Sequence, residues 1–156
     1  MKCCVQRVLK CSVEIDEKIY SEINKGLLVL LGIEKEDEYA SCDWLAKKVC
    51  GLRIFENENG KMSNDLSDIK GKIMIVSQFT LAGNVKKGKR PDFTNAMEPE
   101  TAKKMYEYFV KKCGEIIGIK NVKTGVFAAS MKINLINDGP VTLILEHYSE
   151  DKNENL

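Results

Sequence analysis

Histidine is nearly missing from this chain: His147 is the one copy in 156 residues. A Ser-His-Asp or Cys-His machine would have to use it, close to a C-terminus, where chains are commonly mobile. A histidine-rich metal site is excluded. None of the six cysteines, Cys3, Cys4, Cys11, Cys42, Cys50 and Cys113, forms a C-x-x-C pair. A zinc ribbon or a thioredoxin-like motif is therefore unsupported, and no metal or cofactor is expected. Charge imbalance is lacking too: 24 Lys and Arg face 23 Asp and Glu, a net +1. A broad electrostatic grip on nucleic acid is not expected, so any such contact is local. No apolar run approaches the roughly 20 residues that span a bilayer, and no membrane partner is expected. Met1-Lys2-Cys3-Cys4-Val5-Gln6-Arg7 turns polar too soon for a signal peptide. The cysteines then read as reduced thiols of a cytoplasmic protein, mostly small core residues.

What is present suffices for one globular domain. Apolar residues make up 44% of the chain, enough to offset chain entropy. With no repeat and no Pro/Ser/Gly-rich linker, the domain is read over 1–147, followed by a polar tail at 148–156. Residues 2–9 predict a strand, and Ser12-Val13-Glu14-Ile15-Asp16 alternates as a half-buried strand does. Asp16-Glu17-Lys18 turns the chain into a hairpin partner at Ile19 to Ile23. Gly26 to Ile33 is apolar on both faces and predicts a covered central strand. Glu36-Asp37-Glu38 opens a helix at its positive end, and Cys42, Leu45, Ala46, Val49 and Leu52 form its stripe. Arg53-Ile54-Phe55 reads as a short strand, Asn57 to Gly60 as a turn, and Lys72 to Phe79 as a second buried strand. After a long loop over about 83–97, Pro99 sits in the first turn of a helix whose inner face is Ala102, Met105, Tyr106, Phe109 and Cys113. Met131, Ile133 and Leu135 alternate along a strand, Asn137-Asp138-Gly139-Pro140 reads as a turn, and Val141 to Glu146 as a last strand. The fold class is α/β, a mixed sheet structure with two main helices on one side.

Two segments carry chemistry. Ser77-Gln78-Phe79-Thr80-Leu81 leaves a buried strand as a polar run, and a strand fixes where such groups point. Its plainer reading is a strand end whose hydroxyls and amide bond the local backbone. Asn137-Asp138-Gly139-Pro140-Val141-Thr142 is, on its residues alone, a turn between two strands. About 5–6% of X–Pro bonds in folded proteins are cis, so composition suggests no special bond there.

Beyond these readings the chain resembles the D-aminoacyl-tRNA deacylases, also called D-tyrosyl-tRNA deacylases. The resemblance rests on Val5-Gln6-Arg7-Val8, Gly26 to Gly32, Leu52 to Phe55, Gly60-Lys61-Met62, Val76 to Leu81, Arg90-Pro91-Asp92-Phe93, Thr124 to Phe127 and Asn137 to Thr142, in family order. The tail and the cysteines are not family features. The resemblance implies a compact three-layer α/β/β domain and a homodimer. It implies hydrolysis of the ester between a D-amino acid and the terminal ribose of tRNA. On this likeness Ser77, Gln78, Phe79 and Thr80 line the site, with Gln78, Phe79 and Thr80 closest to the chemistry. Ala102, Phe127 and Met131 surround the terminal adenosine or the reacting group. Gly139 and Pro140 enter from the partner chain through a cis bond and set chirality, and Arg7 holds their loop. A rigid pair of backbone carbonyls can bind the substrate amine and block the direction of an L side chain. Glycine has nothing to block, so glycyl-tRNA is an expected second substrate.

For hydrolysis two routes stay open. Thr80 acts as nucleophile, or the tRNA's terminal 2′-hydroxyl activates water while N–H groups around Gln78, Phe79 and Thr80 hold the oxyanion. The shortage of bases favours the second. Lys86, Lys87, Lys89 and Arg90, a basic run in the long loop, are candidates for tRNA phosphate contacts against a plain solvated loop. Two other readings compete: a DNA-binding module on the same fold, and a related deacylase with a trans Gly-Pro element.

Overall fold

Two long strands organise the molecule, and both are longer than their apolar patterning indicates. The computed structural model describes residues 1–86 and 88–148. Strand β1 (Lys2–Ile15) is continuous where the sequence reads as two pieces. Its first half pairs antiparallel with β3 (Gly26–Gly32) and its second half with β2 (Lys18–Ile23). Asp16 and Glu17, with φ of 49° and 61°, make the tight hairpin turn between β1 and β2.

The chain from β3 to β6 (Lys72–Ser77) carries α1 (Tyr39–Cys50) and the small hairpin β4 (Phe55–Glu56) and β5 (Met62–Asn64). The chain from β6 to β7 (Val122–Thr124) carries α2 (Pro99–Ile117). Both strand pairs are parallel, which demands crossovers, and both helices lie on one face of the sheet. β7 has no counterpart in the sequence reading; three residues are too few to show a period. α1 begins after the acidic trio rather than in it, and Leu52 lies past its end. The strand expected at Arg53–Phe55 is displaced to Phe55–Glu56. β6 stops at Ser77, and Phe79–Ala82 is a single 3-10 turn. The α2 start is as patterned, with Pro99 in the first turn and the Glu98 side chain accepting from the N–H groups of Glu100 (3.0 Å) and Thr101 (2.6 Å).

Apolar burial divides into two clusters. Cys3, Val5, Leu27, Val29, Ile73 and Ile75 pack against the helices through Leu45, Val49, Met105 and Phe109. On the opposite face Val8, Cys11, Val13, Leu28, Met74 and Val76 pack with Met131, Ile133 and Leu135. Helices, sheet and the curled-over half of β1, β2 and β8 thus make three layers, a mixed α/β/β arrangement.

β8 (Lys132–Glu146) runs straight through Asn137–Pro140, which corrects the expected turn. It pairs antiparallel with β1 along both halves. Gln6 faces Thr142 and Val8 faces Asn137, so Asp138, Gly139, Pro140 and Val141 stand opposite Arg7 alone. The segment is a bulge inside a strand, not a connection between two. Of the polar tail, only Tyr148 lies among the described residues.

Candidate active site

β6 is buried through Val76, and its parallel pairing with β3 sets Leu31 beside Ser77. The next residue is tied to the same neighbour: the N–H of Gln78 donates to the Leu31 carbonyl at 2.7 Å. The chain then enters the 3-10 turn, closed by Leu81 N–H to Gln78 O (3.1 Å) and Gly83 N–H to Thr80 O (3.0 Å). The N–H groups of Phe79 and Thr80 meet no backbone carbonyl among the described residues. They are the unused donors at the start of the turn. The Gln78 side-chain amide donates to the Thr80 hydroxyl.

Above this strand exit opens a cavity of about 470 Å³. Ser77, Gln78 and Phe79 form one side, Met97, Pro99 and Ala102 a second, and Phe127, Ala128 and Met131 a third. Its second wall comes from the start of α2 and the segment before it. The third depends on a close approach at Gly125, where a Cβ would lie 2.6 Å from the Met131 sulfur. Gly125 also donates its N–H to the Ile75 carbonyl at 3.1 Å, which the Tyr106 hydroxyl shares at 2.8 Å. Burial pushes the Tyr106 phenol up, so it remains a neutral donor, and its ring meets that of Phe127 at 5.8 Å. Ala128 sits at φ 62°, a left-handed backbone unusual for a residue with a Cβ. Among the described residues no Asp, Glu, His, Lys or Cys lines the cavity.

Six of the expected residues, Ser77, Gln78, Phe79, Ala102, Phe127 and Met131, therefore face one space, with Thr80 beside it through Gln78. Gly139 and Pro140 do not join them; both are exposed and lie outside this cavity. Their peptide bond is cis. Arg7 is 6% exposed, with Nε donating to the Asp138 carbonyl at 2.8 Å and Nη1 to the Ile54 carbonyl at 2.5 Å. Its Nε also lies 3.4 Å from the Asp138 carboxylate. Asn137 braces the bulge from the other side, its Nδ2 donating to Val141 O (3.0 Å) and its Oδ1 accepting from Val141 N–H (3.1 Å). A Cβ on Gly139 would come within 2.1 Å of the Val141 nitrogen, so this position admits no side chain without rearrangement.

Lys86, Lys89 and Arg90 are exposed on a loop closed at its base by the Asn84–Asp92 bridge; Lys87 lies outside the described residues. His147 is absent from the cavity lining. Its Nδ1 lies 3.0 Å from the Ser41 hydroxyl and its ring 4.8 Å from that of Trp44, on the helix side. Among the described residues no group of three or more His, Cys, Asp and Glu is placed to hold a metal, and no helix is long and apolar enough to cross a membrane. As cavity residues Met97, Pro99 and Ala128 escaped the sequence reading, and Gly125 entered it only within the Thr124–Phe127 block. Pro99 carried a helix-start signal that says nothing of its other face, and a left-handed alanine has no signature at all.

Comparisons with known proteins agree on one family. The family model described as D-Tyr-tRNA(Tyr) deacylase matches residues 4–146. A protein of Geotalea daltonii (strain DSM 22248 / JCM 15807 / FRC-32) named D-aminoacyl-tRNA deacylase is 54% identical over 146 residues, 94% of this chain and 96% of the relative. One of the same name from Syntrophus aciditrophicus (strain SB) is 50% identical over 146 residues, covering 94% and 97%. Among solved structures, one titled "c-Myc DNA Unwinding Element Binding Protein" superposes with a TM-score of 0.90 at 40% identity, covering 94% of this chain and 99% of that one. A probable eukaryotic D-amino acid tRNA deacylase shares the fold, with a TM-score of 0.80 at 15% identity over 92% of this chain and 97% of that one. Matched over nearly its whole length in sequence and in fold, the chain belongs to the D-Tyr-tRNA(Tyr) deacylase family and is a hydrolase acting on esters.

Proposed function

We propose that the protein hydrolyses the ester joining a D-amino acid, or glycine, to the terminal ribose of tRNA. We propose further that it works as a homodimer in which the Gly139–Pro140 bulge of each subunit closes the Ser77–Thr80 site of the other. The observation that carries this reading is the make-up of the strand exit and its cavity: among the described residues the Phe79 and Thr80 N–H groups meet no backbone acceptor, and no acid or histidine lines the cavity. Such a site stabilises negative charge on an ester oxygen but cannot itself activate a nucleophile. The Thr80 hydroxyl is paired with the amide of Gln78, and an amide is no base in either orientation. The terminal 2′-hydroxyl of the substrate, adjacent to the ester, then takes the part of positioning or activating water. An ester needs less help than an amide, which suits so spare a site.

The bulge supplies what the cavity lacks. It is exposed at Gly139 and Pro140 and anchored by Arg7 through the Asp138 carbonyl, and on this reading it presents main-chain oxygens. Brought over the cavity by a second subunit, they accept from the substrate amine and occupy the direction an L side chain would take. A steric block of this kind discriminates more strongly than a pocket that weighs one methylene, worth about 1–3 kcal/mol. The exposed Lys86, Lys89 and Arg90 supply local phosphate contacts. The structural relative titled as a DNA-element binding protein keeps a second reading in play, a DNA-binding role for the same basic loop.

The test compares D-tyrosyl-, glycyl- and L-tyrosyl-tRNA, the first also with a 2′-deoxy terminal adenosine, using the unaltered enzyme and Thr80→Ala. Expected are turnover of the D and glycyl esters, sparing of the L ester, and near-normal activity of Thr80→Ala. The deoxy substrate should be slower by about 10²-fold or more. A fully active deoxy substrate with a dead Thr80→Ala enzyme would return the reaction to Thr80. No turnover at all, alongside tight DNA binding, would favour the second reading.

A further inference from the structure

The cavity and the basic loop are separate features, joined on one side by the Phe79–Ala82 turn running on to Asn84 and on the other by residues 92–97. The second segment carries Met97 into the cavity wall at one end. At the other it closes the base of the basic loop, through Asn84 N–H to Asp92 O (2.7 Å) and Asp92 N–H to Asn84 O (3.0 Å). In between, Phe93 packs edge-on against Phe79 with ring centroids 5.2 Å apart. What holds the segment in place is the chain just past β3. Lys35 N–H donates to Asn95 O and Met97 N–H to Ile33 O, both at 3.0 Å, around a bridge between Glu34 and Ala96.

One side-chain contact reinforces this seam. The Asn95 amide donates to Glu34 Oε1 at 2.6 Å. Glu34 is 5% exposed, an uncommon place for a carboxylate, and its Oε1 also lies 3.1 Å from the Lys2 ammonium. Its Oε2 is buried and finds no hydrogen-bond donor among the described residues, though the Met1 ammonium lies 3.7 Å away. The Glu34 N–H in turn donates to the Asp37 carboxylate at 2.6 Å. The carboxylate is thus fixed from the core side, and the exposed Asn95 is the movable partner. A hydrogen bond to a buried charge is among the stronger kinds, and here it fastens the segment that spaces the two halves of the substrate-binding face.

We infer that Glu34 and Asn95 are positioning residues, setting where the basic loop stands relative to the cavity. The inference rests on the reading that the cavity takes the terminal nucleoside of tRNA and the loop its phosphates. Neither residue touches substrate; both act through Met97, Phe93 and the loop base, so their loss falls on binding rather than on the hydrolytic step.

The experiment measures KM and kcat for D-tyrosyl-tRNA with Asn95→Ala, Asn95→Asp and the pair Glu34→Gln/Asn95→Asp. Amide exchange at Lys35 and Met97 is measured alongside. Asn95→Ala should raise KM about fivefold with kcat within about twofold, and speed exchange at both amides. Asn95→Asp sets two carboxylates together and should raise KM at least as far. The pair variant exchanges amide and carboxylate across the same bond and should bring KM back toward the starting value, a recovery that plain loss of stability would not show. A KM unchanged in Asn95→Ala, or a pair variant no better than Asn95→Asp, overturns the inference. If the unaltered enzyme is inert on every D-aminoacyl-tRNA, the functional reading falls by itself. Exchange at Lys35 and Met97 then decides the seam: faster in Asn95→Ala upholds it, unchanged refutes it.

Discussion

If each site is shared between subunits, two differently damaged chains should repair one another. Arg7→Ala removes the donors to the carbonyls of Asp138 and Ile54, at 2.8 and 2.5 Å, from a side chain only 7% exposed. A hydrogen bond from a charged donor contributes about 1.5–3 kcal/mol. Two such bonds at a partly solvated site make about 3 kcal/mol a fair figure for the variant's loss of stability. In a chain of this size that lowers Tm by roughly 6–12 °C. The bulge also loses its backing, and a displacement of about 1 Å at a reacting centre costs about 10²-fold in rate. Ala102→Phe damages the other component by filling the cavity from α2. Each variant alone should be nearly inactive on D-tyrosyl-tRNA. When the two are unfolded and refolded together in equal amounts, half of the dimers are mixed. Each mixed dimer has one site with an intact cavity from the Arg7→Ala chain and an intact bulge from the Ala102→Phe chain. Recovery to about a quarter of normal activity is expected from an interface related by a two-fold axis. Mixtures no more active than their components, in samples shown to contain mixed dimers, would refute the shared site.

Other outcomes follow from single residues. Ala128→Gly relieves a left-handed backbone with φ 62° and should stabilise the fold by about 0.5–1 kcal/mol, raising Tm by roughly 1–4 °C in a thermal melt. Neutralising Lys86, Lys89 and Arg90 together should raise KM for tRNA and flatten its dependence on salt, with little change in kcat. Burial pushes the Cys11 thiol up to about 11 and the Cys42 thiol to about 12, and Cys3, Cys50 and Cys113 are buried as well. A disulfide reagent at pH 8 should therefore label only the half-buried Cys4 quickly, and all six after denaturation. Rapid labelling of a second thiol in the folded protein would contradict that burial.

The parts of the fold that were legible in the sequence are those governed by period. The inner faces of both helices and the covered strands at Gly26–Gly32 and Lys72–Ser77 follow directly from apolar spacing. Illegible parts are those in which a distant contact overrides a local signal. Asn137-Asp138-Gly139-Pro140 has turn chemistry, yet pairing with β1 on both flanks and the Arg7 side chain hold it as a bulge within one strand. Likewise the polar exit at Ser77–Thr80 was visible as a motif, whereas the walls facing it were not. Met97 and Ala128 sit at the cavity on segments held by distant contacts, Met97 N–H to the Ile33 carbonyl and the close approach of Gly125 to Met131, and such relations leave no local pattern.

The interruption in β8 has a consequence for solubility. β8 is 15 residues long and, among the described residues, pairs with β1 on one side only. A ribbon of that length with an unbroken free border, carrying Ile136 and Ile144 on its exposed side, would be a template for indiscriminate strand addition. The four residues opposite the single Arg7, three more than a regular ladder holds, throw the border out of line at its middle, and Pro140 removes a donor there. Trimming the segment to restore a smooth ladder would give a straighter strand and, by the same step, a chain more prone to stick to its neighbours.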